Sequence, residues 1–135
     1  MSFLIDTSVL KRLARPEVRQ VVEPLAVDEI IGRATICDLE LGYSARNAAE
    51  WDLLVGALGT FFKVETSAAH VRRALQVQRR LAEDSQRGRK IPDLLVAAAA
   101  EEFDAVVLHY DADFDRIAAI TGQRCKWVVP AGSLE

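Results

Sequence analysis

Four acidic residues far apart in the chain stand at positions that normally point into a folded protein: Asp6, Glu40, Asp93 and Asp111. A carboxylate is seldom buried without a partner, because it loses its hydration there. Two carboxylates about 4 Å apart repel each other by roughly 4 kcal/mol at an effective dielectric constant near 20. If these side chains converge, they need a cation between them, and oxygen ligands favour a hard divalent ion. The residues therefore predict a metal-dependent enzyme.

Two of these acids also have an ordinary structural interpretation. Asp6 directly follows the apolar run Phe3-Leu4-Ile5, where an aspartate is a common N-cap of the next helix. Asp93 follows Pro92 in the first turn of a predicted helix, where the helix dipole favours an acid by about 0.3–1 kcal/mol. Their functional interpretation depends on the four acids meeting in the fold.

Glu40 carries the most specific signal of the four. With Ile36 placed at zero and about 100° per residue, one broad apolar face forms on the predicted helix. Glu40 falls at about 40°, within that face, and Asp38 falls at about 200°, opposite it. We therefore expect Glu40 to point into the fold and Asp38 to be solvated. The residues of the predicted apolar face are Cys37, Leu39, Leu41 and Tyr43.

Alternating acids occur at Asp111, Asp113 and Asp115. The spacing invites comparison with a calcium-binding EF-hand loop, but Arg116 and Gly122 stand where that loop needs glycine and glutamate. We interpret Asp111 as the inward acid and Asp115 as mostly solvated. Asp113 is interpreted as the cap of the next helix and as a possible further ligand.

Both histidines are interpreted as structural residues. His109 ends a predicted strand, and a lone histidine there more often packs or forms a hydrogen bond than binds a metal. No second histidine stands at metal-ligand spacing from it. His70 is assigned to the surface of a long helix.

The elements that must position the acids alternate between strands and helices. Strands are predicted at 3–5, 29–35, 61–64, 105–109 and 125–129. Helices are predicted at 7–13, 16–26, 36–45, 48–58, from Thr66 or Ser67 to 84, at 92–103 and around 114–118. This alternation implies crossover connections and a mainly parallel sheet covered on both faces, an α/β/α sandwich. We expect one domain over residues 1–135, with its ligand site beyond the carboxyl ends of the strands.

Charge is distributed unevenly along a chain whose formal net charge is −3. The segment from Arg72 to Lys90 carries +5, which leaves −8 for the rest of the chain. Such a basic segment can bind a polyanion locally, although a solvated helix face is the equally ordinary interpretation.

Cysteine use and hydropathy indicate the compartment. Cys37 and Cys125 are far apart and form no C-x-x-C pair, which fits a reducing cytosol and argues against a disulfide scaffold. No charged leader with a following apolar stretch is found at the N-terminus, and the apolar runs are too short to span a membrane. We expect a soluble, cytoplasmic protein.

Four short motifs occur in a characteristic order. They are Ile5-Asp6-Thr7-Ser8, Leu39-Glu40-Leu41, Ile91-Pro92-Asp93-Leu94-Leu95-Val96-Ala97-Ala98 and His109-Tyr110-Asp111-Ala112-Asp113-Phe114. Together they resemble the PIN-domain ribonucleases and, more narrowly, the VapC toxins of bacterial toxin–antitoxin pairs. The resemblance covers essentially the whole chain. One departure is the His109-Tyr110 pair, where many relatives carry threonine or serine and then a basic residue.

The resemblance implies an endoribonuclease that depends on Mg²⁺ or Mn²⁺, is usually dimeric and is inhibited by a VapB-type antitoxin. The family's catalytic acids correspond to Asp6, Glu40, Asp93 and Asp111, and its metal ligands to Asp6, Asp93, Asp111 and Asp113. RNA would be held by basic side chains, for which the candidates are Arg72, Arg79, Arg87 and Lys90. Arg79 and Arg80 are equally suited to contacting the antitoxin.

Two other functions remain open from the residues alone. A phosphatase that uses Asp6 as a covalent nucleophile would fit a similar sheet, but such enzymes usually carry a second acid where this chain has Ser8. A catalytically idle module that only binds a partner is the other alternative. The complete set of acids argues against it.

Overall fold

All strands of the central sheet run parallel in the computed structural model, which describes residues 1–85 and 90–134. The strands are β1 (Phe3–Ile5), β2 (Ile31–Ala34), β3 (Phe62–Val64), β4 (Val106–His109) and β5 (Cys125–Trp127). Their order in the sheet is β3-β2-β1-β4-β5. This arrangement confirms the predicted α/β class and parallel sheet.

Helices fill every connection between strands. They are α1 (Thr7–Leu10), α2 (Pro16–Asp28), α3 (Thr35–Tyr43), α4 (Ala48–Gly56), α5 (Ala68–Glu83), α6 (Ile91–Glu102) and α7 (Asp113–Thr121), with a 3₁₀ turn at Ala57–Thr60. The chain moves from β1 through β2 to β3, and then crosses back to β4 and β5 on the other side of β1. Right-handed crossovers therefore place α1–α4 on one face of the sheet and α5–α7 on the other.

The reversal of strand order creates a crevice between β1 and β4. From β1 the chain leaves towards β2, and from β4 it leaves towards β5, so the two exits diverge at the carboxyl edge of the sheet. Ligands bind at such a point in open parallel sheets. Ile5 and Leu108 are aligned in register, so the residues that follow both strands emerge side by side.

Helix α6 brings a third segment to the same edge. It precedes β4 and runs antiparallel to it, so its N-terminus lies at the carboxyl ends of the strands. Pro92 lies in its first turn, where the missing N–H costs nothing. All eight residues from Asp93 to Ala100 are buried, because α6 packs against α5, α7 and the sheet. Asp93 therefore lies on a helix that is buried along most of its length.

Two expectations about exposed side chains are wrong. His70 is buried and completes a capping box with Ser67, while its Nε2 lies 2.9 Å from Glu102. Asp38 is not a free surface acid, because it accepts a 2.9 Å hydrogen bond from the Nε of Arg33. Arg33 is buried in β2, and its charge requires this partner. Neither the Glu102 partner of His70 nor the Arg33 partner of Asp38 can be predicted from helical periodicity, because each partner lies in another element.

Gly122 ends α7 with a left-handed backbone, at a φ of 74°. We expect Gly122→Ala to lower the free energy of unfolding by about 1–2 kcal/mol, because a Cβ disfavours this conformation. Urea denaturation measures the change. The matched control is Gly56→Ala, at a φ of −60° with nothing within 4 Å of an added Cβ, which should retain or raise stability. Equal stability of Gly122→Ala and the wild type would contradict the expectation.

Candidate active site

All four predicted acids line one cleft of about 220 Å³ at the carboxyl edge of the sheet. Asp6 follows β1, Asp111 follows β4, and Asp93 and Glu40 come from α6 and α3. Four segments separated by up to 105 positions thus contribute one carboxylate each to the same cavity. The convergence expected from the sequence is present in the fold.

One carboxylate oxygen of Asp6 caps a helix, and the other has no hydrogen-bond partner among the described residues. Its Oδ2 accepts a 2.9 Å hydrogen bond from the backbone N–H of Ser8, so it is the N-cap of α1. The residue is only 2% exposed, and among the described residues its Oδ1 has no hydrogen-bond partner. Asp6 therefore caps the helix, as its structural interpretation predicts, and also has a buried oxygen without a hydrogen bond among the described residues.

Asp93 is the second unsatisfied acid. It is 3% exposed, and its buried Oδ2 has no hydrogen-bond partner in the part of the chain that the structure describes. The Lys90 ammonium lies 3.8 Å from this oxygen. A buried anionic oxygen without a hydrogen bond is costly unless a cation binds it.

Glu40 is half-buried and faces the cleft, where its Oε1 accepts a 2.9 Å hydrogen bond from the Thr7 hydroxyl. The apolar face predicted around it is wrong, however, because Leu39 is 71% and Tyr43 is 92% exposed. The inward face of α3 instead combines Glu40 with buried Cys37. Since apolar residues surround this short helix, their periodicity does not specify which side is covered.

Asp111 is held by hydrogen bonds from two neighbours. Its Oδ1 accepts a 2.9 Å hydrogen bond from the backbone N–H of Asp113, and its Oδ2 accepts one from Lys90. Asp113 is the first residue of α7 and is not its cap, so that interpretation is wrong. Its carboxylate still lies beside those of Asp93 and Asp111, with ligand oxygens within 4.8 Å of one another.

Buried side chains outside the acid set fix the ends of β1 and β4. The hydroxyl of Ser8 accepts a 2.8 Å hydrogen bond from the N–H of Tyr110. His109 packs against Phe114 and Trp127, and its Nδ1 accepts a 3.1 Å hydrogen bond from the N–H of Asp111. As expected, His109 is a packed residue, and its ring orients the backbone that carries Asp111.

The surroundings shift the pKa values of the four acids in different directions. Burial, with the charge of Asp6 adding to it, raises the pKa of Asp93 to about 8. Burial also raises the pKa of Asp6 and of Glu40, although hydrogen bonds from Ser8 and Thr7 oppose it. Burial alone would raise the pKa of Asp111, but the hydrogen bonds from Lys90 and Asp113 outweigh it and lower that pKa. Without a metal, the fold therefore raises the pKa of three of the acids and lowers that of Asp111.

The donor set fits a hard divalent cation. Among the described residues, three groups of side chains have ligand atoms within 4.8 Å of one another, and one of them is His109, Asp115 and Cys125. The other two contain the predicted acids: Asp6, Cys37 and Glu40 form one group, and Asp93, Asp111 and Asp113 form the other. Carboxylate oxygens dominate both groups, as Mg²⁺ or Mn²⁺ prefers. Cys37 is the exception, and burial raises the pKa of its thiol, so it stays protonated and unsuited to binding such an ion. The unsatisfied oxygens of Asp6 and Asp93 are the natural ligands.

Three cationic side chains, Lys11, Arg12 and Lys90, share the cleft with the acids. Of the four basic residues predicted from the sequence, Lys90 lies in the cleft, whereas Arg72 and Arg79 lie on α5 outside its lining. Arg87 falls outside the described residues. The sequence prediction misses Lys11 and Arg12, although each follows a residue of the first motif by four positions and so lies on its face of the helical turn.

Comparison with known sequences gives full-length matches. A family model for the PIN domain matches residues 3–120. The chain is 62% identical to Ribonuclease VapC51 of Mycobacterium tuberculosis, over 100% of this chain and 98% of the relative. It is 44% identical to Ribonuclease VapC18 of the same species, over 99% of this chain and 100% of that relative.

Solved structures match the fold at low sequence identity. The crystal structure of VapBC2 from Rickettsia felis bound to a promoter DNA fragment aligns with a TM-score of 0.78 at 18% identity, over 94% of this chain and 99% of that one. DNA-bound VapBC from Salmonella typhimurium gives 0.77 at 17% identity, over 96% and 99% of the two chains. These likenesses establish the fold.

The raised pKa of Asp93 predicts how stability depends on pH in the absence of metal. Between about pH 4 and 8 the folded protein holds a proton on Asp93 that the unfolded chain has lost, so stability falls as the pH rises. In chelator at pH 8, Asp93→Asn should melt higher than the wild type, by about 4 °C for each kcal/mol relieved.

The difference in melting temperature between Asp93→Asn and the wild type should shrink at pH 5, where the Asp93 carboxyl of the wild type is more fully protonated. Thermal melts followed by circular dichroism at both pH values measure the difference, and comparison of the two proteins isolates Asp93 from the other acids. A lower melting temperature of Asp93→Asn at both pH values would refute the expectation.

Proposed function

Because this chain belongs to the PIN-domain family and, within it, to the VapC proteins, we propose that it is a metal-dependent endoribonuclease acting as the toxin of a toxin–antitoxin pair. The reaction is hydrolysis of an RNA phosphodiester bond. The observation that carries the proposal is the pair of buried carboxylate oxygens, on Asp6 and Asp93, that lack a hydrogen bond among the described residues and line one cleft.

The metal that this proposal requires is Mg²⁺ or Mn²⁺, held by Asp6 and Asp93 with Asp111 and Asp113 beside them. When bound, such an ion promotes ionisation of the attacking water and neutralises charge that develops on the phosphate. Glu40 is anchored by Thr7 and accepts a hydrogen bond from the attacking water. The hydrogen bonds from Lys90 and Asp113 lower the pKa of Asp111, so this acid contributes negative charge to the site at neutral pH.

Binding of RNA next to four acids requires opposing charge, and the cleft provides it. Lys11 is exposed at the rim. Arg12 is oriented by a 2.7 Å hydrogen bond to the Ser8 carbonyl and by the face of the Tyr110 ring, 4.8 Å away. These side chains bind the phosphates on either side of the cleaved bond. Arg72, Arg79 and Arg87 are retained as contacts for the more distant backbone of a long RNA.

A VapB-type antitoxin is the proposed protein partner, and the toxin itself is proposed to be a homodimer. Both structural neighbours described above are VapBC proteins, which supports the antitoxin as the partner. Exposed apolar side chains on α3 and α4 also fit cover by another chain, namely Leu39, Tyr43 and Leu53.

The proposed compartment is the cytoplasm. Both cysteines are free thiols, as a reducing environment would keep them. None of the described helices is long and apolar enough to cross a membrane.

We expect Asp6→Asn and Asp93→Asn each to lower RNA cleavage by at least about 100-fold, because each removes a charge that holds the ion. The measurement is the initial rate on a labelled RNA with Mg²⁺ or Mn²⁺, beside a parallel reaction in chelator. The control Asp52→Asn removes the same charge from an exposed position on α4 and should keep full activity.

Circular dichroism establishes that the variants are folded before their rates are compared. Cleavage that persists in chelator, or full activity in both Asp6→Asn and Asp93→Asn, would disprove the metal-dependent mechanism.

The dimer and the antitoxin give a separate prediction. Light scattering of the purified toxin should give twice the 14.9 kDa mass of one chain. Adding a VapB-type protein encoded beside the toxin should stop RNA cleavage at an equimolar ratio. A 14.9 kDa species at micromolar concentration would reject the homodimer. Undiminished cleavage at excess antitoxin would reject that partner, and neither result bears on the catalytic acids.

A further inference from the structure

Lys90 lies within the acidic site and not merely at its rim. It is the N-cap residue of α6, and its ammonium group donates a hydrogen bond to Asp111 Oδ2 across the cleft. The same ammonium lies 3.8 Å from Asp93 Oδ2. One cation of the chain itself therefore bridges acids from two different elements, at the start of α6 and after β4.

This position coincides with one of the two ligand groups that contain the predicted acids. The carboxylate oxygens of Asp93, Asp111 and Asp113 lie within 4.8 Å of one another, which suits a divalent ion. The ammonium of Lys90 contacts two of those three acids. A divalent ion there would be repelled by Lys90 about twice as strongly as a monovalent cation at the same distance.

The other ligand group has a different environment. Asp6 and Glu40 share it with the Cys37 thiol, and the hydrogen bond that Glu40 receives there comes from the neutral hydroxyl of Thr7. Asp6 Oδ1 is buried and unsatisfied among the described residues. Each group thus has one buried oxygen without a hydrogen bond among the described residues, on Asp93 and on Asp6. The groups are unequal because an ammonium of the chain contacts Asp93 and Asp111, whereas the ion pairs of the described residues include none with Asp6 or Glu40.

The Lys90 ammonium contacts both acids but remains open to solvent. The side chain is 58% exposed, so it can follow a phosphate oxygen without leaving the acids. A flexible ammonium is a point charge that suits this task.

We propose that Lys90 takes the place of a second metal ion, so that each chain binds one divalent ion between Asp6 and Asp93, while the Lys90 ammonium occupies the Asp111 side of Asp93. This inference rests on the proposed nuclease function and specifies how its charge is supplied. During hydrolysis the ammonium would neutralise negative charge that develops on the phosphate. Lys90 is thus a catalytic residue and not only a surface contact for RNA.

Counting bound Mn²⁺ tests the proposal directly. Electron paramagnetic resonance of free Mn²⁺, titrated against the full-length protein, should give one ion per wild-type chain and two per Lys90→Met chain. Lys90→Arg keeps the charge and should bind one. Lys11→Met removes a positive charge from the same cleft without vacating the Asp93–Asp111 position, so it should also bind one.

Two ions per wild-type chain, or one ion per folded Lys90→Met chain, would overturn the proposal. If Lys90→Met does not fold, the number of Mn²⁺ ions bound per wild-type chain still tests the proposal. The nuclease function fails separately: wild-type protein that binds no Mn²⁺ and does not cut RNA would reject both. Protein that cuts RNA only with metal but binds two ions would reject the role of Lys90 alone.

Discussion

Repulsion between carboxylates that are kept out of water is the constraint on which the rest of this structure depends. Asp6 and Asp93 are buried at the carboxyl edge of the sheet with oxygens that no described group satisfies. The reversal of strand order between β1 and β4 makes this crevice, and α6 inserts its N-terminus into it. In the proposed function a divalent cation relieves this repulsion, and without one the burial of these acids raises the pKa of both.

The acids cannot relax away from one another, because each is anchored by a different local contact. Asp6 caps α1, Glu40 is bound by Thr7, and Asp111 accepts the N–H of Asp113. Asp93 is fixed by the burial of α6 along most of its length. Stability of the metal-free protein is reduced by this preorganisation, which is common at functional sites.

The sequence predicts where three of the acids lie, because Asp6 and Asp111 follow strand ends and Asp93 lies in the first turn of a helix. Parallel topology then determines where those positions meet. Glu40 points into the cleft, but the face predicted around it is wrong, since Leu39 and Tyr43 are exposed.

Partners that come from distant segments could not be predicted from the sequence. Periodicity describes one helix and says nothing about what packs on it, so it assigns both Asp38 and His70 to solvent, although each has a partner in the fold. For Lys90 the sequence predicts a contact with RNA, whereas its position between Asp93 and Asp111 depends on α6 meeting β4.

Anomalous diffraction from crystals of the protein soaked in Mn²⁺ locates the proposed ion directly. We expect a manganese peak in contact with Asp6 Oδ1 and Asp93 Oδ2, the two buried carboxylate oxygens that lack a hydrogen bond among the described residues. Manganese bound elsewhere, with none at these two oxygens, would contradict this expectation.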